Sequence, residues 1–178
     1  IVGLAPLMSV IALTIRASSK GPAIFKQERL TVGGRRFTIY KFRTMRRDAE
    51  SETGPVWASC CDPRVTAVGR FLRVTRLDEL PQLFNVIKGD MSLIGPRPER
   101  PEMASQLLRE YPAFSRRMEV KAGITGLAQI ATGYASSVRS YRRKLTLDIK
   151  YVENRCLLLD LRIAAKTVKV VLTGFGAR

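Results

Sequence analysis

Apolar and polar residues follow several different periods along this chain. The opening run "IVGLAPLMSVIALTI" carries no charge before Arg16, and Pro6 interrupts it. It is too short to cross a bilayer as a helix, which takes about 20 residues. A core helix, the remnant of a spanning helix, and a helix that enters the bilayer and turns back at the proline fit it about equally. A signal peptide does not fit, because no basic segment precedes the run and no small-residue cleavage site follows it. The chain begins with Ile rather than Met, so a fragment is expected.

A breaker cluster, "ASSKGP", separates this run from two arms, "AIFKQERL" and "RRFTIYKFRTM", that flank "TVGG". Phe37 and Ile39 alternate with Thr38 and Tyr40, the period of a strand, and Gly33-Gly34 supplies a turn, so a β-hairpin is predicted. The stretch from Arg47 to Pro63 is polar and breaker-rich and reads as a loop. In "RVTAVGRFLRVTR", Val65, Val68, Phe71 and Leu72 recur at helical spacing, with Arg64, Arg70, Arg73 and Arg76 elsewhere on the helix. The next helix has Asp78 as its predicted N-cap, Pro81 in its first turn and Gly89 at its end.

Further on, "ERPEMASQLLREYPAFSRRMEV" predicts a helix to Tyr111, halted at Pro112, and then a short helix. "KAGITGLAQIATGYA" reads as a glycine-rich loop, and the remainder is helical with a break near Asn154. Its last part joins an apolar face to Arg162, Lys166 and Lys169. That fits a helix lying on a membrane surface, and equally a core helix with solvated lysines. No repeat, low-complexity tract or second domain is evident.

Composition narrows the chemistry. A length of 178 residues suits one domain with a real core. There is no histidine, which excludes a Ser-His-Asp relay, a histidine zinc site and histidine acid–base catalysis. Lys and Arg number 31 against 15 Asp and Glu, a net charge of +16. Polyanions are therefore the expected partners: nucleic acid, an anionic membrane or phosphorylated substrates. From Lys20 to Arg47 the only acid is Glu28 against nine basic residues, which suggests an anion-facing surface. Cys60, Cys61 and Cys156 form neither a disulfide framework nor a metal motif. They read as small buried thiols in a reducing compartment.

One stretch concentrates the candidate chemistry: "RLDELPQLFNVIKGDMSLIGPRPE", Arg76 to Glu99. On the plain reading Asp78 caps a helix and Glu79 complements its dipole. On the chemical reading the helix start attracts phosphate, and Arg73 and Arg76 keep Asp78 ionised. An ionised carboxylate attacks phosphorus to give an acyl phosphate, and Glu79 adds a hard oxygen for Mg²⁺. Arg97, set between Pro96 and Pro98, is either held on an extended backbone to face an anion or part of a plain surface turn. Phosphoryl transfer follows as the expected reaction class.

The blocks "KFRTM", "DPRVTAVGRFLR", "LDELPQLFNVIKGDMSLIGPRPE", "GITGLAQ" and "DIKYVEN" occur in this order. Together they resemble the bacterial sugar transferases, the monotopic polyprenol-phosphate phosphoglycosyl transferases, over essentially the whole chain. The resemblance implies transfer of a phosphosugar from a nucleotide sugar, usually a UDP-sugar, to undecaprenyl phosphate, with release of UMP. This is the first membrane step of exopolysaccharide, capsule, O-antigen or glycoprotein glycan synthesis. It also implies Asp78 as nucleophile and Glu79 as its partner, with both carboxylates near Mg²⁺. Arg73 and Arg97, with Pro96, Pro98, Lys41 and Arg43, are the implied phosphate and nucleotide contacts.

The same resemblance implies a re-entrant membrane helix, residues 1–16, broken at Pro6. A membrane-associated catalytic domain, residues 17–178, follows it on the cytoplasmic face of the bacterial inner membrane. The expected fold is α+β: a mainly helical single domain with a small β-hairpin and amphipathic interfacial helices. Expected partners are the UDP-sugar, undecaprenyl phosphate and inner-leaflet phospholipids, with a homo-oligomer left open. Nucleic acid is not expected, because few Tyr or Trp interleave the basic residues and no zinc-finger or RNA-binding signature appears.

Three departures from the family pattern stand out. Ala5 replaces the usual Ser before the proline, Ala122 replaces Pro before "GITGLAQ", and "IATGYASS" replaces a "VNGR"-like segment. The last leaves the identity of the sugar open. A non-enzymatic basic module and an inactive scaffold remain as competing readings.

Overall fold

The computed structural model describes residues 2–49, 62–132 and 138–173. A 3-10 turn, Val2–Leu4, leads into α1, Ala5–Ser18. Pro6 sits in the first turn of α1, where its missing N–H is no loss. Ile11 and Ile15 face inward while Leu7, Val10 and Leu13 are exposed. Among the described residues no helix is long and apolar enough to cross a membrane.

The predicted hairpin is present. β1, Ile24–Leu30, pairs antiparallel with β2, Arg36–Phe42, from Ile24 opposite Phe42 to Leu30 opposite Arg36. Gly33 and Gly34 take φ values of 66° and 72° in the turn, a region that glycine enters without penalty. Phe37 and Ile39 are buried and Thr38 is exposed, as the alternation requires. Asn85, fully buried, donates from Nδ2 to the Thr38 carbonyl at 2.7 Å and accepts from the Tyr40 N–H at 3.1 Å.

α2 covers Ala67–Val74, its Thr66 hydroxyl accepting from the Gly69 N–H at 2.9 Å. The helical spacing from Val65 was too generous. Val65 instead bridges Met45, and Phe71 is 62% exposed although Leu72 is buried. The Asp78 N-cap is also corrected. Arg76 turns into a left-handed conformation (φ 59°), a 3-10 turn spans Leu77–Glu79, and α3 begins only at Gln82 and runs to Ile87. No capping bond from Asp78 starts that helix.

The glycine-rich "loop" carries a strand. β3, Ser92–Ile94, pairs in parallel with β4, Gly123–Thr125, and α5 follows at Leu127–Thr132. Gly123 is required by close approach, since a Cβ there would lie 2.1 Å from the Gly95 nitrogen. α4 spans Pro101–Glu110 and a 3-10 turn spans Pro112–Met118, matching the predicted stop at Tyr111. α6, Val138–Asn154, and α7, Leu157–Thr173, break where expected. Cys156, in that break, is exposed rather than buried. Cys60, Cys61, most of the predicted loop before Pro63 and the end of "IATGYASS" lie outside the described residues.

The result is a mainly helical domain with a small sheet component. Three apolar clusters hold it: Ile11, Ile15, Phe42 and Leu72 under α1; Ala104, Leu107, Phe114, Tyr141 and Leu145 between α4 and α6; and Phe37, Ile39 and Met91 behind β2. Burying side chains of this size contributes about 1.5–3 kcal/mol each.

Candidate active site

The turn before α3 brings four of the predicted residues together. Glu79 Oε1 accepts from Arg97 Nη2 at 2.7 Å and from Lys41 Nζ at 3.3 Å. β2 supplies Lys41, the turn supplies Asp78 and Glu79, and the segment after β3 supplies Arg97. Both carboxylates are buried, at 9% and 8% exposure. Among the described residues no hydrogen bond or ion pair engages the Asp78 side chain.

This asymmetry separates the two acids. Burial pushes the Asp78 carboxyl up to about 6, the charge of Glu79 adds to it, and Lys41, Arg97 and Arg73 oppose. Burial acts on Glu79 in the same sense, but Arg97 and Lys41 outweigh it and hold that group well below the usual carboxylate range. Two neighbouring carboxylates with environments that drive them apart are a frequent mark of a reactive site.

Arg76 introduces the pair in a strained backbone. Among the described residues it is the one non-glycine with φ in the left-handed region, a conformation costing on the order of 1 kcal/mol or more. The Glu79 N–H donates to the Arg76 carbonyl at 3.2 Å, so the strained residue also sets the start of the turn.

The proline-bracketed segment is anchored through its carbonyls. Pro96 accepts from the Gly123 N–H at 2.9 Å, Arg97 from Arg117 Nη2 at 2.7 Å, Pro98 from Arg29 Nη1 at 3.1 Å, and Glu99 from the Leu30 N–H at 3.0 Å. Pro96 and Pro98 are buried. The prolines thus act as backbone, and the Arg97 guanidinium is what the segment presents.

Two further predicted residues make their hydrogen bonds away from Glu79. Arg73, on α2, donates from Nε to the Thr44 hydroxyl at 2.9 Å, and its charge reaches Asp78 and Asp62. Arg43 is buried, and its guanidinium donates to the carbonyls of Lys20 at 2.8 Å, Ser19 at 3.0 Å and Gly21 at 3.4 Å. Its hydrogen bonds therefore tie the exit of α1 to the hairpin instead of joining the Glu79 cluster.

Several residues escaped sequence reasoning. Gln82 is 1% exposed, and its Nε2 has no partner among the described residues. Arg117 and Asp148 form a buried pair at 2.8 Å behind Arg97. Lys144 contacts Glu99, and with Arg117 it overcomes burial to hold that carboxyl at about 2. For Asp148 the signal was its place in "DIKYVEN", an acid in a basic stretch. Arg117 is one arginine among many and carries no local signal.

The family described as bacterial sugar transferase matches residues 1–174. A UDP-N-acetylgalactosamine-undecaprenyl-phosphate N-acetylgalactosaminephosphotransferase of Aeromonas hydrophila is 48% identical over 173 residues, 97% of this chain and 41% of its own length. A UDP-glucose:undecaprenyl-phosphate glucose-1-phosphate transferase of Caulobacter vibrioides is 42% identical over 95% of this chain and 64% of its own. A putative undecaprenyl-phosphate N-acetylgalactosaminyl 1-phosphate transferase of Bacillus subtilis is 52% identical over 66% of this chain and 67% of its own. The chain thus spans about two fifths of the Aeromonas relative. The ordered motifs, the paired acids under Arg97 and these matches lead to one conclusion: the chain belongs to the bacterial sugar transferase family.

Proposed function

We propose that this chain is the catalytic part of an enzyme that transfers a phosphosugar from a UDP-sugar to undecaprenyl phosphate through a covalent Asp78 intermediate. The observation that carries the reading is the division of labour between the acids. Glu79 is neutralised by Arg97 and Lys41, while Asp78 is buried beside them with no ion pair among the described residues. A carboxylate that is desolvated yet unclaimed is a stronger nucleophile than a solvated one.

In the first step an Asp78 carboxylate oxygen bonds to the phosphorus that carries the sugar. The bond from that phosphorus to the bridging oxygen breaks, and UMP departs with the electron pair. In the second step a phosphate oxygen of undecaprenyl phosphate attacks the same phosphorus. The bond to Asp78 breaks, the carboxylate is regenerated, and a lipid-linked diphosphosugar leaves. Arg97 and Lys41 face the growing negative charge, and Arg73 adds to the positive field at Asp78.

The donor set at this turn fits Mg²⁺. Asp78 and Glu79 offer hard carboxylate oxygens, and among the described residues no group of three or more ligating side chains forms a complete cage. Mg²⁺ commonly takes one or two carboxylates and completes its shell with phosphate oxygens and water. When bound it supplies charge neutralisation to the diphosphate.

Membrane docking belongs to the same reading. Leu7, Val10 and Leu13 of α1 and Leu157, Leu158, Leu161 and Leu172 of α7 are exposed, as expected of surfaces that meet inner-leaflet lipid. In this reading Pro6, at the start of α1, marks the bend from which that helix leaves the cytoplasmic leaflet, so a soluble donor and a lipid acceptor meet at headgroup level. The product feeds exopolysaccharide, capsule, O-antigen or glycoprotein glycan assembly.

The test uses nanodisc-held protein, Mg²⁺, undecaprenyl phosphate and a panel of UDP-sugars. One UDP-sugar should give UMP release, and mass spectrometry of a quenched reaction should find the phosphosugar on Asp78. Asp78→Asn should abolish both while the protein still folds. Full turnover in that variant would remove the nucleophile assignment.

A further inference from the structure

Proline has no backbone N–H, so the segment around Arg97 is fixed mainly through its carbonyls. Among the described residues, three of the four donors to the carbonyls of residues 96–99 belong to strands: the Leu30 N–H and Arg29 on β1, and the Gly123 N–H on β4. The fourth, at Arg97 itself, is the side chain of Arg117 in the 3-10 turn after α4.

Arg117 is 5% exposed and Asp148, on α6, is 2% exposed. One nitrogen, Arg117 Nη2, donates to the Arg97 carbonyl at 2.7 Å and to Asp148 Oδ2 at 2.8 Å. Nη1 lies 3.6 Å from Glu99 Oε1, and the Phe114 ring centroid stands 5.0 Å from the guanidinium carbon. The guanidinium is therefore fixed in plane and in height.

A buried ion pair needs a reason other than stability. Desolvation cancels much of its attraction, and apolar replacements of similar size are often neutral or stabilising. Here the pair meets a demand that an apolar core could not, because it satisfies the carbonyl of the residue whose side chain grips Glu79.

We propose that Arg117, oriented by Asp148, is the positioning residue of Arg97: it fixes the backbone from which the Arg97 guanidinium reaches Glu79. A shift of about 1 Å in that backbone is enough to lose an aligned contact, and errors of this size cost on the order of a hundredfold in rate. The kinetic consequence rests on the function proposed above, whereas the geometric claim concerns Arg97 alone.

The experiment compares the unmodified protein with Arg117→Lys and with the charge-free pair Arg117→Met/Asp148→Asn, which keeps the fold if the lysine variant does not. Arginine side-chain ¹⁵Nε relaxation is read first. Arg97 should become more mobile in both variants, while Arg64, held by Asp62, stays unchanged. An equally ordered Arg97 in a folded variant overturns the proposal.

Turnover is read second, as a double-mutant cycle. Arg117→Lys should lower UMP release about tenfold to a hundredfold when Arg97 is present, and by less than about twofold on an Arg97→Ala background. Equal losses in both backgrounds would mean that Arg117 only supports the fold, and would overturn the proposal. Absence of turnover in the unmodified protein with every UDP-sugar defeats the functional reading instead, and the relaxation measurement then decides on Arg117 by itself.

Discussion

Arg97 Nη2 and Glu79 Oε1 meet at 2.7 Å, joining the segment after β3 to the turn before α3. The contact uses one end of a planar fork whose backbone is pinned from behind. Lysine at this position would keep the charge and lose the fork. Arg97→Lys should lower turnover about a hundredfold or more, the cost of removing one charge-stabilising donor. A variant within a few-fold of the parent, by initial-rate UMP release, would show that Arg97 is a structural counter-ion.

The rate should carry an acid limb set by Asp78. On the proposed mechanism attack requires the carboxylate, and burial together with Glu79 pushes this group up to about 6. Protonation below that value removes the nucleophile, so turnover should rise as pH increases through about 6 and then level off. In metal-free protein, ¹³C-carboxyl titration should find the same midpoint, and Glu79→Gln should move it down by removing a like charge. A midpoint near the ordinary aspartate value would mean that Asp78 is solvated.

Asp78→Asn should stabilise the fold while it ends catalysis. A carboxyl whose native value is raised binds its proton more tightly folded than unfolded, so its contribution falls as pH rises from 3.8 through about 6. Above that window the ionised group costs on the order of 1–3 kcal/mol. Thermal unfolding at pH 7.5 should show the variant melting higher, by about 2–4 °C per kcal/mol. At pH 4 the two proteins should converge.

Arg43 and Lys41 should separate in a binding assay, although both come from "KFRTM". The guanidinium of Arg43 holds three carbonyls beyond α1, and Lys41 holds Glu79. Arg43→Lys should cost about 1–3 kcal/mol of stability and leave the KM for the UDP-sugar within about twofold. An intact fold with a greatly raised KM would return Arg43 to the substrate site.

Gly123→Ala should be among the most damaging small substitutions. The added methyl would lie 2.1 Å from the Gly95 nitrogen and 2.7 Å from its carbonyl oxygen, and that backbone has no flexible end to yield. A loss of about 3 kcal/mol or more is expected from such overpacking, with the 96–99 segment displaced. Denaturant unfolding measures it, and an undiminished midpoint would mean that β3 and β4 can separate.

The legible parts of the chain were those written in local code. The hairpin announced itself through Gly33-Gly34 and the alternation at Phe37 and Ile39. The α6–α7 break fell where Asn154 suggested. The acids and Arg97 stood out because unlike charges and prolines were concentrated in a basic chain. What stayed hidden depends on distant partners. β3 and β4 are three residues each and pair across a long sequence interval, so their glycines looked like flexibility when they mark close backbone contact. Asp78 looked like a cap because nothing local reveals that Arg76 turns left-handed. Arg43 and Arg117 were indistinguishable from other arginines until their acceptors came into view.

The amide of Asn85 has a consequence for how copies of this chain meet. A two-stranded ribbon normally leaves outward N–H and C=O groups that invite a strand from another chain. Here the Asn85 side chain occupies that edge at Thr38 and Tyr40, and the Glu99 carbonyl occupies the opposite one at Leu30. A second copy that approaches thus finds those sites already taken, so strand addition to the ribbon is blocked there by one buried asparagine and one carbonyl.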